Sequence, residues 1–143
     1  MATYNAIIAT RRVPEDVFSY LADFSNAREW DPGVPKAERL GKGPIGEGSQ
    51  FLITANFLGR TTTLTYAIVE YRPSSAVAFR GENSTAVSLD RITCEPFGGG
   101  TRVTYNAQLS LKGPLGVADP LLALAFRRVG DRALAGLRST LTV

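Results

Sequence analysis

Two tyrosines and one arginine are the side chains of this sequence that could support chemistry in an apolar interior. Tyr66 and Tyr105 each lie among the alternating apolar residues of a predicted strand. Their hydroxyls could donate hydrogen bonds to a carbonyl group or act as general acids, although packed core tyrosines with hydroxyls at the rim are the alternative interpretation. Arg91 could polarise a carbonyl or hold an acidic group if its side chain points inward. These three residues are the catalytic candidates.

The orientation of Arg91 depends on the hairpin turn that follows its strand. A three-residue loop over Gly98–Gly100 would place Leu89 opposite Leu109, which aligns the apolar faces of the two strands. A two-residue loop would place Leu89 opposite Gln108, so the apolar pattern favours the longer loop. The longer loop predicts that Leu89 and Arg91 both point inward.

An inward Arg91 would need a partner, because an unpaired charge in an apolar interior costs several kcal/mol. It would pair with Glu70, reach solvent through a cavity, or hold an acidic or carbonyl-bearing ligand. A bulge near Pro96 would reverse the face, so that Arg91 points outward while Ile92 and Cys94 point inward. The sequence leaves both orientations open.

The composition limits the chemistry further. The chain has no histidine, which excludes Ser-His-Asp and Cys-His catalysis, histidine-ligated zinc and the commonest general base. A single cysteine, Cys94, excludes an internal disulfide and a multi-cysteine metal site. We therefore expect no metal ion and no cofactor.

Length and patterning predict one globular domain over residues 1–143, with 44% hydrophobic and 20% charged residues. No run approaches the roughly 20 apolar residues that span a bilayer, so we expect no stable membrane insertion. The chain starts with strand-like alternation instead of the regions of a signal peptide, which predicts a cytoplasmic location. Basic residues near the end lack interleaved aromatic residues, so we interpret them as a solvated helix face and expect no nucleic-acid partner. They are Arg127, Arg128, Arg132 and Arg138.

The elements that would position the candidate residues follow from the hydrophobic periodicity. Residues 3–12 alternate as a strand, and Pro14 before two acidic residues favours a helix start. Ser25 can cap a second short helix that ends near Trp30. Strands separated by turns follow. Asp119 then favours the start of a long helix, in which apolar residues recur every three or four positions.

This layout resembles the helix-grip fold of the START/Bet v 1-like (SRPBCC) superfamily, and within it the polyketide cyclase/dehydrase branch. The resemblance covers nearly the whole chain and is carried by Pro14-x-x-Val17-Phe18-x-x-Leu21-x-Asp23, Trp30-Asp31-Pro32, Glu70-Tyr71-Arg72-Pro73, Gly99-Gly100-Thr101-Arg102-Val103-Thr104-Tyr105 and Asp119-Pro120-Leu121-Leu122. It implies an α+β fold. A curved antiparallel sheet of about seven strands would wrap around the long C-terminal helix, with two short helices after the first strand and a cavity between sheet and helix.

The resemblance implies a hydrophobic ligand, similar to a lipid, steroid or polyketide, that the cavity binds or carries. Mostly apolar walls with a few polar groups suit such a ligand, although the same residues could fill a solid core. The expected lining residues are Trp30, Phe51, Ile53, Tyr66, Ile68, Glu70, Phe79, Leu89, Arg91, Tyr105, Leu109, Leu122 and Phe126. Two alternatives stay open: a polyketide cyclase/dehydratase-type enzyme, and a regulatory module that binds a protein partner, of toxin-antitoxin or stress type. The sequence does not specify an oligomeric state.

Overall fold

The computed structural model of the protein describes residues 2–57, 59–113 and 120–142. Within these residues, seven strands form one antiparallel sheet in the order β1-β7-β6-β5-β4-β3-β2, accompanied by three α-helices. The elements are β1 (Ala2–Thr10), α1 (Pro14–Ala22), α2 (Ala27–Trp30), β2 (Lys36–Leu40), β3 (Gln50–Phe57), β4 (Arg60–Arg72), β5 (Ala76–Glu82), β6 (Ala86–Phe97), β7 (Gly100–Leu111) and α3 (Pro120–Leu141). The predicted α+β helix-grip architecture is confirmed.

Two short helices follow β1, as predicted, but a different residue caps the second. Pro14 is the first residue of α1, where its missing N–H costs nothing. The Asp23 carboxylate then accepts a hydrogen bond of 3.1 Å from the Ser25 backbone N–H and caps a 3₁₀ turn, Phe24–Asn26, which runs directly into α2. The cap predicted at Ser25 is therefore wrong. The cap predicted at Asp119 lies outside the described residues.

The hairpin between β6 and β7 closes through two residues instead of three. Gly98 and Gly99 have φ values of 57° and 82°. Positive φ at both central residues is what a type I′ turn requires, and its twist matches that of the flanking strands. Leu89 consequently lies opposite Gln108. The predicted three-residue loop is wrong.

Compared with the predicted three-residue loop, the shorter loop places every side chain of β6 on the opposite face of the sheet. The β6–β7 pairing is continuous, so the length of the turn, and not a bulge near its end, sets this register. Ile92 is fully buried and Cys94 nearly so, whereas Leu89 is 37% exposed. Arg91 lies on the outer face, which is the second of the two orientations that the sequence left open, and its place among the expected lining residues is wrong. The inward orientation predicted for Leu89 is wrong as well. Asp90 takes the inward position instead.

A β-bulge in β4 moves a second predicted residue to the outer face. The pairing of β4 with β5 shifts between Ile68 and Glu70, which inserts one extra residue into β4 and ends the alternation begun at Leu64. Ile68 is buried, but Glu70 points outward and forms an ion pair with Arg91. The inward orientation predicted for Glu70 is wrong.

One end of the concave face is a solid aromatic core beneath α1. The ring of Phe24, in the 3₁₀ turn, stacks on Phe79 with centroids 4.2 Å apart and meets the edge of Phe51 at 6.3 Å. Aromatic pairs in these arrangements contribute about 0.5–1.5 kcal/mol beyond their buried area. Phe24 therefore anchors the two short helices to the sheet.

Helix α3 lies against β1 and α2 and is held at several points. The Tyr4 hydroxyl donates a hydrogen bond of 2.8 Å to Asp131, and the Thr10 hydroxyl donates one of 2.7 Å to the Leu141 carbonyl. A Cβ at Gly136 would lie 1.9 Å from the carbonyl oxygen of Trp30. The glycine therefore permits the backbone of α3 to approach the end of α2. Among the described residues, no helix is both long enough and apolar enough to cross a membrane.

The two edges of the sheet differ. The edge strand β1 packs against α3. The other edge strand, β2, is five residues long and carries an exposed ion pair of 2.8 Å between Lys36 and Glu38. The β2 edge is therefore short and charged.

We predict that Gly136→Ala destabilises the protein by about 2 kcal/mol. Alanine gains up to about 1 kcal/mol in helix propensity, but a Cβ so close to a backbone carbonyl forces α2 and α3 apart, and such overpacking costs about 1–3 kcal/mol or more. Urea denaturation measures the change in the free energy of unfolding. Gly46→Ala is the control, because a Cβ there meets no heavy atom within 4 Å. Equal stability of the two variants would contradict the close approach.

Candidate functional site

A cavity of about 720 Å³ lies between the concave face of the sheet and α3. Strands β1, β3, β4, β6 and β7 contribute to its wall, together with α2 and α3. Six residues that the sequence predicted as ligand contacts line it: Trp30, Ile53, Tyr66, Tyr105, Leu109 and Phe126. The cavity begins where the aromatic core beneath α1 ends, since Phe24 belongs to both.

The other seven predicted residues lie elsewhere. Phe51, Ile68 and Phe79 are in the packed core, and Leu122 is buried without being among the described wall residues. The remaining three, on the outer face of the sheet, are Glu70, Leu89 and Arg91.

The ion pair of Glu70 and Arg91 is a surface interaction. The Arg91 Nε and Nη2 atoms donate to the two Glu70 carboxylate oxygens at 2.8 and 3.1 Å. Arg72 lies 3.2 Å from the same carboxylate. The hydrogen bonds from Arg91 lower the pKa of Glu70. Since Arg91 is exposed and Glu70 is partly exposed, the pair contributes at most about 1 kcal/mol. Arg91 does not touch the cavity and cannot act on a molecule inside it.

Polar residues at the hairpin ends form the rim of the cavity. Arg60 and Thr61 follow the β3–β4 turn, and Asn83 and Thr85 flank the β5–β6 turn. Arg60, Thr61 and Thr85 are exposed. The cavity therefore reaches solvent at this end of the sheet.

A buried carboxylate, Asp90, lies on the cavity wall. Its side chain accepts a hydrogen bond of 2.5 Å from the Tyr105 hydroxyl and one of 3.0 Å from the Ser88 hydroxyl. Asp90 is 8% exposed. Burial raises the pKa of Asp90, and the two hydrogen bonds oppose this shift. Burial and the negative charge of Asp90 in turn raise the pKa of Tyr105.

Gly81 makes room for the second tyrosine. It is the cross-strand neighbour of both Tyr66 and Ser88, and a Cβ on Gly81 would lie 2.5 Å from the Tyr66 ring. The ring therefore crosses the strand toward Ser88, with which its hydroxyl interacts. Burial, followed by the charge of Asp90, raises the pKa of Tyr66.

A second carboxylate, Asp31, reaches the cavity from the loop after α2. Its Oδ1 atom accepts a hydrogen bond of 2.8 Å from the Gly33 backbone N–H. Burial raises the pKa of Asp31 to about 6; the hydrogen bond from Gly33 opposes this shift, and the charge of Asp90 adds to it. We call Asp31, Tyr66, Ser88, Asp90 and Tyr105 the polar cluster.

The sequence reasoning missed both carboxylates of the polar cluster. Asp90 has a local signal: Ser88, Asp90, Ile92 and Cys94 alternate along one face, which becomes the inner face once the turn has two residues. Asp31 has none, because it lies in a loop whose path depends on α3. Within the described residues, no group of three or more Cys, Asp or Glu side chains could hold a metal ion.

Residues 1–142 match the protein family described as "Polyketide cyclase / dehydrase and lipid transport". The chain belongs to this family. The match confirms the predicted branch and superfamily. A search of curated proteins found no significant match.

Solved structures show the same fold at low sequence identity. A START superfamily protein from Mycobacterium smegmatis is 14% identical with a TM-score of 0.81, and the alignment covers 99% of this chain and 97% of that one. The Zhui aromatase/cyclase from a Streptomyces species is 14% identical with a TM-score of 0.77, covering 97% and 92%. A Thermus thermophilus protein is 17% identical with a TM-score of 0.80, covering 97% and 96%. At these identities the likeness shows the fold alone.

We predict that Asp31→Asn stabilises the protein at pH 8 but not at pH 4. The folded state raises the pKa of Asp31 from 3.8 to about 6, so the ionised side chain disfavours folding. The stability that the protein has while Asp31 is protonated is lost as the pH rises through about 6. The full shift corresponds to about 3 kcal/mol. Asparagine keeps the acceptor for Gly33 and does not ionise. Urea denaturation at both pH values measures the difference.

The control for this prediction is Glu95→Gln. A hydrogen bond from Arg102 lowers the pKa of Glu95, so the ionised form favours folding and its contribution is lost as the pH falls. The contribution of Glu95 to stability therefore changes with pH in the opposite direction to that of Asp31. A difference between Asp31→Asn and the wild type that does not change from pH 4 to pH 8 would refute the raised pKa.

Proposed function

We propose that the protein binds a hydrophobic small molecule in the cavity between the sheet and α3. The size of the cavity is the observation that supports this proposal. Protein interiors normally leave few voids larger than a water molecule, whereas this space of about 720 Å³ falls in the range of ligand sites. Its apolar walls lack packing partners across the void, so an apolar occupant would supply the missing dispersion contacts.

The composition of the cavity wall supports a ligand-binding cavity instead of a collapsed core. Small side chains stand where larger ones would fill the space: Ala6 on β1, Ala55 on β3 and Ala107 on β7 all face the cavity. Aromatic side chains, including Trp30 and Phe126, supply large apolar surfaces around them. Because the 3₁₀ turn, α2, the sheet and α3 build the wall, we regard residues 1–143 as one binding domain. The family description, which includes lipid transport, agrees with a carrier.

Filling the cavity should weaken binding. In Ala6→Phe the new ring occupies the cavity opposite Tyr105. Because the ring and the probe would occupy the same space, binding would carry an overpacking cost of about 1–3 kcal/mol. We therefore expect the affinity for the neutral hydrocarbon diphenylhexatriene to fall about tenfold or more. Trp30, the only tryptophan, lines the cavity, so energy transfer from Trp30 to the probe reports occupancy.

The matched control is Ala9→Phe on the same strand, because Ala9 is exposed on the outer face. Its affinity for the probe should stay within about twofold of the wild type, as for most surface substitutions. No binding by the wild type, or equal losses in the two variants, would reject the cavity as the binding site.

The polar cluster favours a second candidate function, a cyclase- or dehydratase-type enzyme. The pKa of Asp31, about 6, suits a general base near neutral pH. Asp31 could remove a proton from a carbon between two carbonyls, while the Tyr66 hydroxyl donates a hydrogen bond to the carbonyl oxygen that gains charge. Tyr105 donates to Asp90 and holds that carboxylate in place. The alternative of a protein-interaction module uses none of these residues and stays a prediction from the family resemblance.

Turnover of a poly-β-keto thioester tests this second candidate. If the protein is such an enzyme, Asp31→Asn should lower kcat by about 100-fold or more, and Tyr66→Phe should lower it without changing the affinity for diphenylhexatriene. Arg91→Ala is the control and should leave kcat unchanged, because Arg91 lies on the outer face. A wild-type rate equal to that in buffer would reject the enzyme and leave the binding protein.

A further inference from the structure

In the part of the chain that the structure describes, the carboxylates on the cavity wall form no ion pair with a basic side chain. Both carboxylate oxygens of Asp90 accept hydrogen bonds, but the donors are the neutral hydroxyls of Tyr105 and Ser88. Asp31 accepts from the neutral backbone N–H of Gly33. Hydroxyl and amide donors stabilise a carboxylate without balancing its charge, and a buried charge is costly until it is paired.

Within the described residues, the ion pairs of basic side chains lie away from the two aspartates. The ion pairs of this part of the chain join lysines and arginines to glutamates that are at least partly exposed, namely Glu38, Glu70, Glu82 and Glu95. None of them includes Asp31 or Asp90. Arg60, the basic residue on the described cavity wall, is exposed at the rim. The space beside the polar cluster is thus negative and apolar at once.

Aromatic side chains lie on the wall beside this space and suit a cation. Trp30 meets Tyr105 edge to face with centroids 5.9 Å apart, and both line the cavity together with Tyr66. Aromatic faces attract ammonium groups, and the attraction grows when the site is shielded from water. Carboxylates and aromatic rings on one wall therefore provide two independent kinds of contact for the same charge.

We propose that the ligand carries a protonated amine, which binds between Asp31 and Asp90 against the aromatic rings while its apolar body fills the rest of the cavity. This inference rests on the proposed binding function and specifies its ligand class. A ligand carboxylate would add a third negative charge to a buried site, and a neutral hydroxyl would leave both aspartates uncompensated. Burial raises the pKa values of both Asp31 and Asp90, which agrees with carboxylates that no basic side chain of the described residues pairs with.

Three ligands that differ only in their polar group test this inference. 4-Phenylbutylamine, 4-phenyl-1-butanol and 4-phenylbutyrate share one apolar body, and at pH 8 the amine is cationic and the acid anionic. Their affinities are measured by displacement of diphenylhexatriene and by Trp30 fluorescence. We expect the amine to bind about tenfold or more tightly than the alcohol, as hydrogen bonds to charged groups allow, and the acid to bind most weakly. An amine that binds no better than the alcohol overturns the inference.

Single substitutions assign the preference to the two aspartates. Asp31→Asn and Asp90→Asn should each lower the affinity for the amine about tenfold, towards that of the alcohol, and change the affinity for the alcohol by less than about twofold. Glu95→Gln, which neutralises an exposed carboxylate on the same strand as Asp90, should change neither. Loss of the preference in the Glu95 variant alone would place the selectivity outside the cavity. If Asp90→Asn does not fold, Asp31→Asn and the wild-type ligand order decide.

Failure of this inference is distinct from failure of the proposed function. If diphenylhexatriene binds and the amine has no advantage, the cavity binds ligands but does not select a cation. If neither the hydrocarbon nor any of the three phenylbutyl compounds binds, the binding function fails, and the ligand class fails with it.

Discussion

The two-glycine turn between β6 and β7 determines which side chains of β6 enter the cavity. Side chains alternate between the faces of a strand, so one residue more in the turn would exchange the two faces completely. With Gly98 and Gly99 both in the left-handed region, Asp90 faces the cavity and Arg91 faces solvent. The charge of the candidate site is therefore decided at a turn at the far end of the strand.

The concave face of the sheet divides into a packed part and a hollow part. Beneath α1, stacked and edge-to-face aromatic rings around Phe24 fill the space and supply stabilising contacts. Beyond Phe24 the wall residues enclose an open volume and carry two carboxylates whose burial disfavours folding. The packed part compensates for the hollow one, a common division between the stabilising and the functional parts of a domain. The bulge that turns Glu70 outward removes a third carboxylate from the interior.

Sequence reasoning predicted the architecture because its signals are local. Pro14 at a helix start, alternation along strands and a long apolar stripe near the C-terminus depend on neighbours within a few residues. The residues of the cavity wall were harder to predict. Gly98, Gly99 and Gly100 permit either loop, and the match of Leu89 with Leu109 favoured the wrong one, because the structure tolerates a partly exposed leucine.

The remaining misses have non-local causes. No residue type marks the bulge after Ile68, since a bulge is a relation between two strands. Asp31 follows the end of α2, where α3 approaches closely at Gly136, more than 100 positions away in the sequence. Six of the predicted wall residues still line the cavity. Four of them lie on strands, where alternation places them correctly because the register is right, and the other two, Trp30 and Phe126, lie on helices.

The short edge strand β2 affects whether molecules of this protein associate through the edges of their sheets. An unpaired strand edge is a template on which another chain can add a strand, and long, apolar, uncharged edges carry the greatest risk of aggregation. Here one edge packs against α3, while the other offers only five residues with Lys36 and Glu38 exposed on it. A sheet wide enough to enclose a hollow interior can thus remain free of edge-to-edge association.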